Sequence, residues 1–289
     1  MPLADRLEFA AQHDPCRNYC LWDYAAPAPP EGKLRAVTLL LHSFQAAGID
    51  PRAYAAVAAI RDGIGPFRTV FGIKLAAGRL AWELYFYDYR RQRREVSLPR
   101  VLDLLRPYMP CPAPDCESLP YFMFSLALSD AALAGRQPLD VVRIYVGNPG
   151  SALSSGIAYA MRAGAATLEN FYFFFDAATQ MGEVAAKVAS SGVFDASQAP
   201  IDAVLLPELR RCQSICVANK QAHDCIYFSG VDVGQLLWFL ERFEYPRELV
   251  AFIEANRARL DHLLYDVGFD YRTQGGELHV LKSGYYGVF

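Results

Sequence analysis

Between Arg79 and Tyr87 the chain alternates with period two: Leu80, Trp82, Leu84 and Phe86 fall on one side, and Arg79, Ala81, Glu83, Tyr85 and Tyr87 on the other. Successive side chains of a strand point to opposite faces, so this stretch predicts a strand with one apolar face and one polar, aromatic face. It follows a strand beginning near Phe67, and the two join through Ala76-Ala77-Gly78, where glycine supplies the positive φ of a tight hairpin turn. The same signature returns four times. Residues 121–129 pair with 140–147, where Val142, Ile144 and Val146 oppose Arg143 and Tyr145. Residues 156–162 pair with 167–175 across Ala163-Gly164-Ala165, and 213–220 pair with 225–229. The last hairpin turns at Gln274-Gly275-Gly276 and ends with residues 277–289.

Helical patterns separate these hairpins. They cover 37–47, 51–62 (Asp50 as N-cap, Pro51 at the first position), about 98–108, about 179–190, and 234–264 with a break at Tyr245-Pro246. Strand next to strand implies antiparallel pairing, which disfavours the βαβ units of parallel sheets. About ten strands are too many for a flat open sheet, and closure removes the exposed edges. The expected fold is therefore α+β: a closed antiparallel barrel of about ten strands, in five hairpins, surrounded by helices. Residues 1–36, with the Pro-rich run Ala25-Ala26-Pro27-Ala28-Pro29-Pro30, form an appendage on or near the barrel domain at 37–289.

Composition narrows the function classes. With 289 residues, 53% hydrophobic and 20% charged, the chain affords one large core. A net charge of −3 offers nucleic acid and anionic membranes no general attraction. The basic run Tyr89-Arg90-Arg91-Gln92-Arg93-Arg94 reads as a solvated loop, and Phe171-Tyr172-Phe173-Phe174-Phe175 as a buried strand. No apolar stretch approaches the ~20 residues of a membrane span, and Met1-Pro2-Leu3-Ala4-Asp5-Arg6 lacks a signal-peptide core. Seven cysteines fit a reducing compartment, so a cytoplasmic monomer is expected. Cys16/Cys20, Cys111/Cys116 and Cys212/Cys216 are not C-x-x-C knuckles and no His pair follows them, so they read as buried or loop thiols.

The polar strand faces carry the chemistry. On them fall Lys74, Glu83, Tyr85, Tyr87, Arg143, Tyr145, Asn170, Tyr172, Lys220, Tyr227, Lys282 and Tyr286. A one-sided sheet would turn such a face to water. Seventeen tyrosines argue instead for an enclosed lumen, since exposed tyrosine on strand after strand would be an unexplained apolar burden. Cations among aromatic rings suit a ligand with an anionic head and a hydrophobic tail. An allylic diphosphate has that shape, and tyrosine faces stabilise the carbocation formed when it ionises. No Gly-rich phosphate loop, dinucleotide fingerprint, H-E-x-x-H or G-x-S-x-G pattern competes. Gly147-Asn148-Pro149-Gly150 reads as a turn only.

Four stretches carry a family resemblance: Leu41-His42-Ser43-Phe44-Gln45-Ala46-Ala47-Gly48-Ile49-Asp50-Pro51, Val142-Arg143-Ile144-Tyr145-Val146, Cys225-Ile226-Tyr227-Phe228, and His279-Val280-Leu281-Lys282-Ser283-Gly284-Tyr285-Tyr286. Over 37–289 their order resembles the aromatic prenyltransferase barrel, or ABBA fold, and within it the cyanobactin peptide prenyltransferases. The resemblance implies that Lys282 and Tyr286 take the roles of a basic residue and a tyrosine near the diphosphate. Arg143 takes a diphosphate contact with Tyr145 the next inward position, and Asn170 and Tyr172 resemble the inward pair of the sixth strand. Three departures stand out. Residues 147–156 are too few for the helix usual there. The carboxylate of the peptide branch falls at Val70, which leaves Glu83 as the substitute base. The magnesium carboxylate of the aromatic branch falls at Tyr85, so the sequence leaves Mg²⁺ with the diphosphate open and names no metal ligand.

The expected activity is transfer of a dimethylallyl or geranyl group from its diphosphate to a nucleophilic side chain of a peptide, macrocyclic in that branch. Lys74, Arg143, Lys220 and Lys282 would hold the diphosphate, and Tyr85, Tyr145, Tyr172, Tyr227 and Tyr286 would line the allyl cation. Cys216 and Val217 would form a small wall that leaves room for geranyl. Glu83 would take the proton. Two alternatives remain open: a small phenol or indole as acceptor, and a non-catalytic barrel that binds a hydrophobic ligand.

Overall fold

The computed structural model describes residues 7–89, 94–147 and 154–289, so the basic residues 90–93, the Asn148-Pro149-Gly150 turn and residues 1–6 lie outside the described residues. Five antiparallel hairpins form. They join β1 (Thr69–Ala76) to β2 (Arg79–Tyr87), β3 (Met123–Leu128) to β4 (Val142–Gly147), and β5 (Ser155–Arg162) to β6 (Ala165–Asp176). They also join β7 (Ser214–Asn219) to β8 (Asp224–Val231), and β9 (Tyr265–Gln274) to β10 (Glu277–Val288). Each strand pairs with the next in sequence, and β10 returns to β1 from Val70↔Val288 to Leu75↔Ser283, closing the barrel.

Turn chemistry starts the hairpins locally. Ala77 and Gly78, and then Gly275 and Gly276, sit at positive φ, as two-residue hairpin turns require. The helices are α1 (Val37–Ala46), α2 (Arg52–Ile64), α3 (Leu98–Leu105), α4 (Asp130–Leu133), α5 (Met181–Ala189), α6 (Val233–Arg242), α7 (Arg247–Ala255) and α8 (Arg257–Leu260). Asp50 accepts the Arg52 N–H at 3.0 Å, Ser97 caps α3, and Asp232 and Gln235 form a reciprocal capping box on α6. The break expected at Tyr245-Pro246 separates α6 from α7.

The apolar core lies between the barrel wall and this helical coat. Phe71, Trp82, Phe86, Ile144, Phe228 and Phe269 turn outward and pack with Leu40, Phe44, Leu236 and Leu240 in one continuous cluster. Burial of that apolar area drives the closure. The single polar atom of the Trp82 ring is satisfied, its Nε1 donating to Ser43 Oγ at 2.8 Å. Because side chains alternate, putting grease outside commits the other half of every strand to the interior. Within Phe171–Phe175, accordingly, Phe173 and Phe175 join the outer core while Tyr172 and Phe174 face the lumen.

The described part of the appendage is tied down by polar contacts. Glu8 pairs with Arg61, Lys33 with Asp261, and Leu34 donates its N–H to the Arg259 carbonyl at 2.9 Å. Residues 16–24 form a small strap across one barrel end, pinched by the Arg17↔Asp23 bridge. Tyr19 and Leu21 of the strap pack against Val70, Tyr87, Met123, Tyr145 and Tyr286. Among the described residues no helix is long and apolar enough to cross a membrane.

Candidate active site

The lumen divides into two compartments. One is a polar chamber of about 750 Å³ lined by Lys74, Glu83, Arg143, Glu169, Lys220, His223 and Lys282, among others. The other is an apolar cavity of about 110 Å³ at the strap end. Tyr85, Tyr145, Tyr172 and Tyr227 line both and form the collar between them.

Two ion-pair clusters line the polar chamber. On one side Glu83, only 2% exposed, pairs with Lys74 and lies 3.8 Å from Arg143, whose guanidinium also grips Glu169 at 2.6 Å. Tyr85 donates to the same carboxylate at 2.9 Å, and Ser125 donates to its other oxygen. On the other side Asp270 takes Lys220 at 2.9 Å, Lys282 at 3.0 Å and His223 Nε2 at 3.1 Å. Burial opposes ionisation of both carboxyls. Lys74 and Arg143 overcome it at Glu83, and His223, Lys220 and Lys282 overcome it at Asp270, so both are held well below the usual carboxylate range. Burial pulls the Lys74 ammonium down, with Glu83 opposing it.

The collar is built on small residues. Gly72 lies opposite Tyr286 in the register, and a Cβ there would come within 2.7 Å of a Tyr286 ring carbon. Gly268 lies opposite Tyr227, and a Cβ there would meet that ring at 2.5 Å and the Ile226 carbonyl at 2.7 Å. Both rings therefore lie down over glycine, which no other residue permits at so close an approach. Tyr286 contacts Tyr85 and Tyr227 at 5.9 and 6.0 Å between centroids, and Tyr145 contacts Tyr172 at 6.0 Å. Burial raises all five phenols, so the collar presents neutral hydroxyls and ring faces. The Tyr172 hydroxyl accepts from Asn170 Nδ2 at 2.6 Å.

At the far end the strap covers one side of the apolar cavity with Tyr19 and Cys20. Tyr89 donates to the Cys20 carbonyl at 2.8 Å, Arg17 holds the Phe67 carbonyl at 2.9 Å, and the Tyr19 N–H donates to Asp266 Oδ2 at 3.1 Å.

Nearly all the residues singled out in the sequence converge on this lumen. Lys74, Glu83, Arg143, Asn170, Lys220 and Lys282 line the chamber, Tyr87, Tyr286 and Cys216 the apolar cavity, and Tyr85, Tyr145, Tyr172 and Tyr227 the collar. Val217 does not. It follows the inward Cys216, so period-two geometry turns it outward, where it is fully buried in the coat-facing core. The proton-acceptor expectation for Glu83 also meets an obstacle, because Lys74 and Arg143 lower its proton affinity in the free protein.

Sequence reasoning missed Asp266, Asp270, Glu169, His223 and Ser125. The two aspartates were readable: Tyr265, Val267, Phe269 and Tyr271 alternate with Asp266, Gly268 and Asp270, the same pattern that marked β2. Glu169 sits where a bulge shifts the β5–β6 register, and His223 lies in the turn after β7, where no period places a side chain. Among the described residues no three His, Cys, Asp or Glu stand together as a metal-binding group. The carboxylates are occupied by cations, so the chamber does not fit a metal held by protein ligands alone.

Ten antiparallel strands, an inward polar face and an outer helical coat define the prenyltransferase-barrel fold. The particular likeness is to crystal structures of the prenyltransferase PriB. The binary complex of PriB with product diphosphate aligns with a TM-score of 0.53 and 9% identity, over 86% of this chain and 94% of that one. The apo form aligns with a TM-score of 0.51 and 10% identity over the same shares. No family model and no curated protein sequence matches the chain.

Proposed function

We propose that the chain is a prenyltransferase that moves an isoprenyl group from its diphosphate to an aromatic acceptor inside the barrel. The observation that carries this reading is the placement of four cations on the carboxylates of Glu83, Glu169 and Asp270 next to a collar of neutral tyrosines. The diphosphate draws Lys74 and Arg143 from Glu83, and Lys220 and Lys282 from Asp270. The allylic C1–O bond then breaks, its electron pair leaving with the diphosphate, and the cation spreads against the faces of Tyr85, Tyr145, Tyr172, Tyr227 and Tyr286. Glu83 remains a fixed negative charge beside that cation and takes back Lys74 when the diphosphate leaves. Were magnesium to accompany the donor, it would add positive charge at the head group without drawing on Glu83 or Asp270, which hold cations in the free protein.

A peptide acceptor needs an open barrel end. The end beyond the collar is partly covered by residues 16–24, and the other mouth carries the charges. The cover at that end favours a small phenol or indole over a macrocyclic peptide. Dimethylallyl and geranyl both remain as donors, with Cys216 small at the cavity wall. The test is incubation with each donor and a panel of phenols, indoles and cyclic peptides, read by added prenyl mass and released diphosphate. Ligand binding without diphosphate release across the panel would favour the non-catalytic barrel and remove this reading.

A further inference from the structure

One chamber residue has no part in the transfer chemistry above. His223, in the turn between β7 and β8, lines the polar chamber with a side chain 29% exposed and sets Nε2 3.1 Å from Asp270 Oδ2. Its Nδ1 has no partner among the described residues. Asp270 also holds Lys220 at 2.9 Å and Lys282 at 3.0 Å, so three side chains able to carry positive charge share one buried carboxylate. Lys220 and Asp224 flank the ring in its own hairpin, Cys225 and Tyr227 follow on β8, Asp270 faces it from β9, and Lys282 stands on β10. Glu169 lines the same chamber from β6, with Lys74, Glu83 and Arg143 in the other cluster. Burial raises the Cys225 thiol and the Tyr227 phenol, so both stay neutral.

The chamber is close to neutral before a ligand enters. Lys74, Arg143, Lys220 and Lys282 stand against Glu83, Glu169 and Asp270, while Arg162 and Asp140, also in the lining, pair with each other at 3.1 Å. One positive charge is left over, and a diphosphate brings more negative charge than that. Excess negative charge in a partly desolvated chamber favours uptake of a proton. Ion-paired lysines and arginines already carry theirs, and a carboxyl ordinarily titrates at about pH 4. Only an imidazole ordinarily changes charge between about pH 5 and 8.

Resting on the prenyl-transfer reading, we infer that His223 is a proton-linked switch on donor affinity: diphosphate binding puts a proton on Nδ1, and loss of that proton helps the product leave. In the free protein Lys220 and Lys282 share its carboxylate and oppose a further positive charge on the ring. The head group draws both lysines away and leaves the ring between Asp270 and the phosphate oxygens. There an imidazolium donates from both nitrogens, Nε2 to Asp270 and Nδ1 to the diphosphate. The proton comes from solvent and returns to solvent, or departs on the diphosphate. Because the protonated ring holds the anion more tightly, donor affinity is highest at low pH and falls as pH rises. The switch belongs to the Asp270 cluster, since Glu83 has the hydroxyls of Tyr85 and Ser125 in the corresponding place, and these gain no charge.

Calorimetric titration of the full chain with pyrophosphate, at about pH 7.5 in two buffers of different ionisation enthalpy, reads the protons taken up on binding. The native chain should take up about half a proton or more beyond His223→Gln, which keeps an N–H for Asp270 but cannot gain charge. Protons gained by pyrophosphate itself are common to both chains. Between about pH 6.5 and 8.5 the affinity of the native chain relative to His223→Gln should fall about tenfold. His223→Arg, with its permanent charge, should bind tightly throughout and show no extra uptake. Equal uptake by the native and His223→Gln chains, or a relative affinity that does not move with pH, overturns the inference while leaving pyrophosphate binding intact. If the variants fail to fold, the ring-nitrogen NMR signals of labelled histidine in the native chain decide, and the inference falls if none turns to imidazolium when pyrophosphate is added. A native chain that binds no pyrophosphate strikes the prenyl-transfer reading itself.

Discussion

Lys282→Ala offers the sharpest test of the head-group site. Lys282 lies 3.0 Å from Asp270, which keeps Lys220 at 2.9 Å and His223 at 3.1 Å after the truncation. No buried charge is left alone, so the variant should fold. A unit charge about 4 Å from another is worth about 4 kcal/mol at an effective dielectric of 20. The Lys282 side chain is 36% exposed, and solvent screens part of that interaction. One charge-assisted hydrogen bond, about 1.5–3 kcal/mol net, is the better measure, and it converts to about a 10- to 150-fold rise in donor KM. Initial rates of diphosphate release against donor, at saturating acceptor, should show that rise with kcat within about threefold. The inhibition constant of pyrophosphate should move by the same factor. Arg106→Ala, on a side chain 59% exposed beyond α3, serves as the unaffected control. A donor KM within threefold of the native value, or a shift confined to the acceptor KM, would refute the assignment of Lys282 to the diphosphate.

Tyr286→Leu keeps apolar bulk but removes the ring that touches both Tyr85 and Tyr227, so kcat should fall about tenfold while donor KM holds; equal losses in both would speak for collapse of the collar. Gly268→Ala forces a Cβ into the Tyr227 ring and the Ile226 carbonyl, and denaturant titration should show a loss of about 2 kcal/mol or more, an undiminished midpoint contradicting the packing. The buried carboxyls give opposite pH signatures in melting temperature. Glu83 and Asp270 have depressed folded pKa values, so their stabilisation is present at neutral pH and is lost below about pH 4 as they protonate. Asp266 is raised from 3.8 to about 7, so its contribution is full below about pH 4 and lost as pH climbs through 7. Asp266→Asn should therefore gain stability over the native chain between pH 5 and 8, by an amount of order 4 kcal/mol at most, and parallel curves would contradict the burial argument.

The sequence predicted the barrel because one rule, period-two alternation, speaks in every hairpin. Leu80-Trp82-Leu84-Phe86 against Glu83-Tyr85-Tyr87 already states that the grease lies outside and the polar groups inside, and the structure keeps that assignment around the wall. Identity of the inward residues was readable for the same reason, as were the turn glycines. What could not be read was how those residues choose partners. Lys282 and Lys220 come from strands more than fifty residues apart in sequence and share Asp270 only because β7, β8, β9 and β10 are neighbours in the closed sheet. The Glu169 contact with Arg143 depends on a bulge, an extra residue that breaks the period used to read the strand. The strap was out of reach for another reason. Its Pro-rich neighbourhood carries no alternation, and its seat at the Asp266 end is fixed by single contacts with distant elements, Tyr19 N–H to Asp266, Tyr89 to the Cys20 carbonyl and Arg17 to the Phe67 carbonyl, which no local pattern announces.

The partner choices bear on how such a chamber works. Four cations aimed at an empty lumen would repel one another and destabilise the barrel, so each is held on a carboxylate in the free protein. A diphosphate entering this chamber exchanges one set of ion pairs for another, and only the difference between them appears as affinity. The exchange has a second half. On the same reading, Glu83, Glu169 and Asp270 would be in place to recapture the cations when the head group leaves, which would lower the barrier to releasing an anion from a cationic site. On the proposed reading, the carboxylates, which a count of attractive contacts would score against diphosphate binding, are what would let the same four side chains hold the donor and then let the product go.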